Sequence, residues 1–187
     1  MDLVARAKSI LTTPKTEWPV IAGESTGTAE LYSGYVVPLA AIAPVAAVVG
    51  NLLFSGYLSF GASVVIAIVS LVLALVSVYV LALIASKIAP AFGGKDDFGQ
   101  SLKLVAYAYT AAWVTGVIAL IPALAWLRSV GGIYSLYLFY VGAPVTMEVP
   151  VQRSVGYTAV VILVAIGVYI VIGILIGVII GIGSIAR

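Results

Sequence analysis

Long apolar runs separated by short polar interruptions set the organisation of this chain. The runs cover about Tyr32 or Tyr35 to Phe54, Gly61–Ser86, Lys103 to about Ile121, about Ser129 to Met147, and Tyr157 almost to Arg187. Crossing a hydrocarbon core of about 30 Å takes roughly 20 helical residues. The pattern therefore predicts five transmembrane helices. Pro38 and Pro44 fall inside the first, and each removes a backbone donor. That helix is expected to be bent and packed against neighbours, or broken around a transport site. Asn51, near its far end, reads as an interhelical hydrogen bond or an interface residue. The second run is long enough to tilt, with Ser70 and Ser77 on one side. In the third, Lys103, Tyr107 and Thr110 recur at spacings of four and three and share one helical face, with Tyr109 and Trp113 opposite. Such a polar face turns toward other helices, water or a partner. The fourth run carries Tyr134, Tyr137 and Tyr140. The fifth repeats glycine at Gly173, Gly177 and Gly181, a smooth face for packing within the chain or against a second copy.

The connectors add detail. Met1–Leu11 lacks an apolar core followed by a small-residue cleavage site, so it is not read as a signal peptide. It reads as a short amphipathic helix, with Leu3, Val4, Ala7, Ile10 and Leu11 opposite Asp2, Arg6, Lys8 and Ser9. This helix is expected either in the cytoplasmic headgroups or against its own bundle. Pro14 is expected to end it, leaving an irregular segment with Trp18 as an interface anchor. Glu17, Glu24 and Glu30 keep that segment out of the hydrocarbon. Asp96, Asp97 and Gln100 precede the third run and read as a helix cap, alone or combined with a partner contact. Pro122 closes the third run. Ala123–Gly132 is predicted to be a hairpin turn that keeps Arg128 in the headgroups, avoiding roughly 2.5–3.5 kcal/mol for an arginine at mid-bilayer.

Composition supports the same reading. Hydrophobic residues make up 63% and charged residues 9%, where a soluble domain carries roughly 25% charged. The chain is thus an all-α, polytopic integral membrane protein, with a cytoplasmic segment (1–31) followed by a five-span domain (32–187). It has no cysteine and no histidine, which removes thiol chemistry, the commonest general base and the usual transition-metal ligands. A net charge of +2 gives no reason to expect nucleic acid. Arg6, Lys8, Lys15, Lys87, Lys95, Lys103 and Arg153 fall on one side of the predicted topology, against Arg128 and Arg187 on the other. The excess places the N-terminus in the cytoplasm and the C-terminus outside, in the inner (cytoplasmic) membrane. Asp97-Phe98-Gly99 and Gly93-Gly94-Lys95 echo kinase and P-loop motifs, but the rest of both patterns is missing. No catalytic, metal-binding or cofactor-binding residues emerge, and an enzyme is not expected.

Four stretches carry a resemblance: RAKSILTTPKTEWPVI, SGYVVPLAAIAPV, FGGKDDFGQSLKLVAYAY and YSLYLFYVGAPVTMEVP. In order, they resemble the prokaryotic branch of the Ypt-interacting-protein (Yip) domain family. The resemblance implies a five-span helical membrane protein with a cytoplasmic N-terminal segment. In eukaryotic members it implies membrane trafficking, through Rab-type GTPases and other family members. The long N-terminal region of those members has no counterpart before the first run, so GTPase binding is not carried over. The family supplies no catalytic residues.

Two functions are weighed. The first is a non-enzymatic, membrane-organising or trafficking-related scaffold that associates with itself or other membrane proteins. The alternative is a small channel, transporter or lipid-translocating protein, with a polar site between the third and fourth spans formed by Lys103, Tyr107, Thr110, Tyr134 and Tyr137.

Overall fold

The computed structural model describes residues 2–185, and every regular element among them is helical. Helix α1 (Leu3–Thr12) starts at Asp2, whose carboxylate accepts from the backbone N–H groups of Val4 (3.0 Å) and Ala5 (3.2 Å). Those are two of the donors that a helix start leaves open. Helix α2 (Pro14–Gly23) follows after a single residue. The irregular segment expected here is therefore a helix. Pro14 occupies its first position, where a missing N–H is harmless and a fixed φ favours the turn. Trp18, expected as an interface anchor, is 0% exposed within the core.

Helix α3 (Thr28–Phe54) departs from regular geometry in three places. Wide π turns occupy Tyr32–Val36 and Asn51–Ser55, and the helix breaks at Ala41, between Pro38 and Pro44. Proline and π turns are recognised causes of bending. Asn51 holds the link that follows: its amide nitrogen donates to Leu58 O (2.8 Å) and Ser63 Oγ (3.0 Å), and its oxygen accepts from Leu58 N (3.1 Å). Helix α4 (Phe60–Ile88) is capped by Ser59 and runs into a 3-10 turn at Ala89–Phe92. Asp97 caps helix α5 (Phe98–Leu120) by accepting from Gln100 N at 3.0 Å.

The expected hairpin over 123–132 is replaced by a 3-10 turn at Pro122–Leu127, and helix α6 (Arg128–Thr146) begins at once. Gly131 lies inside α6 for a steric reason. A Cβ there would stand 1.9 Å from Thr115 Oγ1, so α5 and α6 meet almost backbone to backbone. Helix α7 (Val151–Ile185) ends the described chain.

Among the described residues four helices are long and apolar enough to cross a membrane: Thr28–Phe54, Phe60–Phe92, Phe98–Leu120 and Val151–Ile174. Helix α6, at 19 residues, is not among them; Arg128 and its tyrosines dilute its apolar content. It nonetheless sits inside the bundle, with α5, α7 and α2 packed against it. Ile10, Trp18 and Ile21 share one apolar core with Leu104, Tyr107, Leu138 and Met147, so α1 and α2 pack as part of the bundle. Tyrosine and serine hydroxyls stitch neighbouring helices: Tyr32 to Leu75 O (3.0 Å), Ser101 to Ala82 O (2.6 Å) and Tyr157 to Ala85 O (3.0 Å). In an apolar surround these bonds satisfy groups that lipid cannot.

The connectivity gathers charge at one end. There the loop after α4 meets the turn after α6. Lys95 N donates to Met147 O (2.9 Å), Lys95 Nζ pairs with Glu148, and Asp96 accepts from Ser86 Oγ and Lys87 Nζ, both at 2.6 Å. The Lys87 and Ser86 bonds hold the Asp96 carboxyl below its ordinary pKa. Its contacts persist into acid and are lost only as pH falls below the usual carboxylate range. At the opposite end, the turns 55–59 and 121–127 contain no acidic residue.

Candidate functional site

The charged end holds a buried polar clamp. Arg6 on α1 pairs through its two terminal nitrogens with Glu17 on α2 and Glu24 just beyond it. The three side chains are 11%, 16% and 30% exposed. Burial works against the guanidinium charge, but Glu24 and then Glu17 more than reverse it, leaving the Arg6 pKa raised. Such a pair is held by mutual need, since either sign alone would be costly to bury.

The first turns of α5 fasten this clamp from below. Lys103 Nζ donates to Glu24 O, and Gln100 Nε2 donates to Ala22 O at 2.9 Å. Tyr107 lies deeper, its ring 4.5 Å from that of Tyr35 and 6.4 Å, edge-on, from that of Trp18. Thr110 Oγ1 donates to Tyr107 O (2.7 Å), so its hydroxyl accepts from Tyr35 OH (2.7 Å). On the far side of Trp18 lies Gly142 of α6. A Cβ at that position would stand 2.5 Å from Trp18 Cε2 and 2.8 Å from Leu104 Cδ1. The indole thus occupies space that only glycine leaves.

Of the five residues expected to form a polar intramembrane site, the structure brings Lys103, Tyr107 and Thr110 together, all buried, beneath α1, α2 and α3. The hydroxyl of Tyr134 donates instead to Leu11 O of α1 at 2.7 Å. Tyr137 touches Tyr134 ring to ring at 5.5 Å and is 41% exposed. The polar atoms of Lys103, Thr110 and Tyr134 therefore meet protein groups. Asp97 is the cap, Asp96 holds the end of α4, and Gln100 reaches α2. Gly173 and Gly177 have no atom within 4 Å of a would-be Cβ, and Gly181 lies outside the residues whose surroundings are described.

Sequence reasoning missed Arg6, Glu17, Glu24, Trp18 and Tyr35 as partners. Arg6 meets acids 11 and 18 residues away, across the break at Thr13, so no single helix relates them. A recess of about 460 Å³, lined by Asp2, Arg6, Glu24, Thr26 and Glu30 among others, opens beside the clamp. Among the described residues no group of three or more acidic side chains gathers as a metal site would require. What the arrangement does chemically is fasten: it fixes the first helices to the bundle.

A family model described as the Yip1 domain matches residues 8–174. No curated protein and no solved structure matches the chain. The match runs from within α1 to deep in α7, taking in the four candidate spans, α6 and most of the clamp. By its extent over the membrane helices and the segment clamped onto them, the chain belongs to the Yip1 domain family.

Proposed function

We propose that this protein is a non-enzymatic membrane scaffold of the prokaryotic Yip type, organising the bilayer or trafficking-related partners through association with itself and other membrane proteins. The observation that carries this reading is the use of the polar groups on α5. Lys103 and Thr110 bond protein groups and Tyr107 is packed among aromatic rings, so the polar face serves to hold the chain together. What the bundle turns outward is apolar, above all along α7, where Ile166, Ile170, Ile174 and Val178 are each at least half exposed. Gly173 and Gly177 leave open space between them, a shape that admits a close-packed helix.

In this reading α6 is a fifth span. Its 19 residues extend about 28 Å, close to the hydrocarbon thickness. The clamp and the acidic loops then lie at the cytoplasmic face of the inner membrane, with Arg128 and the C-terminus outside.

The test uses the absence of native cysteine. Gly173→Cys or Gly177→Cys, oxidised in native membranes, is expected to give a disulfide-linked dimer, whereas Leu163→Cys, also exposed on α7, is not. Monomer alone from both glycine positions contradicts self-association. Ion or lipid flux in liposomes, lost in Lys103→Ala, would favour a channel or translocating protein instead.

A further inference from the structure

We infer that the groove walled by α4, α5, α6 and α7 holds one acyl chain of an anionic phospholipid, whose phosphate pairs with Arg128. The inference rests on the reading of α6 as a span with Arg128 at the outer surface. The groove encloses about 470 Å³, within the usual range for a small-molecule site. Its floor is Leu81, Val105 and Ala108, each no more than 2% exposed. Ile133, Leu136 and Ile166 form an open rim toward lipid, 68%, 43% and 50% exposed.

The walls offer a chain almost nothing polar. Ser129 Oγ donates to Trp126 O, and Ser135 Oγ accepts from Ala112 N at 3.1 Å. In a bilayer an apolar slot open to the side fills with hydrocarbon.

Charge decides which hydrocarbon. Arg128 stands one helical turn before Gly132 on the face of α6 that lines the groove. Helical side chains lean toward the N-terminus, so in this reading that of Arg128 leans toward the turn 121–127 and the outer headgroups. The seven acidic residues are Asp2, Glu17, Glu24, Glu30, Asp96, Asp97 and Glu148, and none lies in the chain between Asp97 and Glu148. They belong to the clamp and loops at the other end of the bundle, and among the described residues no acidic side chain pairs with Arg128. A second copy meets the same lack, and its helix, about 10 Å across, is too thick for a slot of this volume. An anionic lipid supplies both the chain and the phosphate.

The test is native mass spectrometry of the full chain in mild detergent, titrated with phosphatidylglycerol or phosphatidylcholine. One phosphatidylglycerol is expected to be retained, with about fivefold preference over phosphatidylcholine, the effect of one cation at the membrane surface. Arg128→Gln removes the preference, while Arg153→Gln, at the other end, does not. Gly132→Leu fills the slot and removes both adducts; a Cβ there meets no atom within 4 Å, and circular dichroism of the variant checks that it folds. Equal retention of the two lipids, or adducts unchanged by Arg128→Gln and Gly132→Leu, overturns the inference. A dimer lost in Gly132→Leu would assign the groove to a second copy and equally overturn it. Trp126→Cys, labelled from outside by an impermeant maleimide, checks the position of that turn separately. A misplaced span and an empty groove therefore give different results.

Discussion

Trp18→Ala is expected to destabilise the protein by about 3–5 kcal/mol, the range for deleting a fully buried large aromatic. Trp18 is 0% exposed, and its ring fills the hollow left by Gly142 between Leu104 and Tyr107. Removing the indole takes away what stands against Gly142 and Tyr107, and the cost includes the cavity that relaxation does not fill. Its indole Nε1 has no hydrogen-bond partner among the described residues. Trp18→Phe, which gives up the N–H but keeps most of the ring, should therefore cost only about 1 kcal/mol. Gly142→Leu attacks the same contact from α6 and should release α2 by overpacking. Thermal unfolding in detergent, followed by circular dichroism, ranks the three. Equal losses for the phenylalanine and alanine variants would mean the ring's volume is not what holds α2.

Arg6→Met is expected to cost about 3 kcal/mol, because it leaves Glu17 and Glu24 half-buried side by side without their cation. Breaking a buried pair costs about 3–5 kcal/mol. The lower figure applies here because Glu24 keeps 30% of its side chain exposed. The charges matter only as a set, so Arg6→Met combined with Glu17→Gln and Glu24→Gln should recover most of the loss. The readout is again thermal stability, measured for the single and the triple variant. A triple variant no better than Arg6→Met would show that Arg6 acts through its packed stem and not through the ion pairs.

How far the sequence could be read follows from which forces act locally. The apolar runs were legible because lipid penalises any polar interruption, and α3, α4, α5 and α7 start or end within several residues of the predicted limits. The face shared by Lys103, Tyr107 and Thr110 was legible from spacing alone, and it is buried as one surface. What meets that face was not. Glu24 and Trp18 approach it from the far end of the chain, and Arg6 reaches its acids only because α2 folds back after the break at Thr13. Helix α2 was hidden by its two prolines: Pro14 starts the helix from its first position, and Pro19 is carried inside it. The double glycine near Arg128 carried two meanings. Gly131-Gly132 looked like a turn, yet Gly131 is small because Thr115 stands against it.

The proposed function and the lipid groove rest on one proposed geometry: five crossings, with the clamp, the 93–97 loop and the 147–150 turn on the cytoplasmic side. Single cysteines are clean reporters in a chain with none of its own. Tyr57→Cys and Trp126→Cys, in exposed turns 88% and 68% accessible, should react with an impermeant maleimide added to intact spheroplasts. Lys95→Cys and Gln152→Cys should react only after the membrane is opened. Labelling of Trp126→Cys and Gln152→Cys from the same side would mean that α6 does not cross, and would contradict the account.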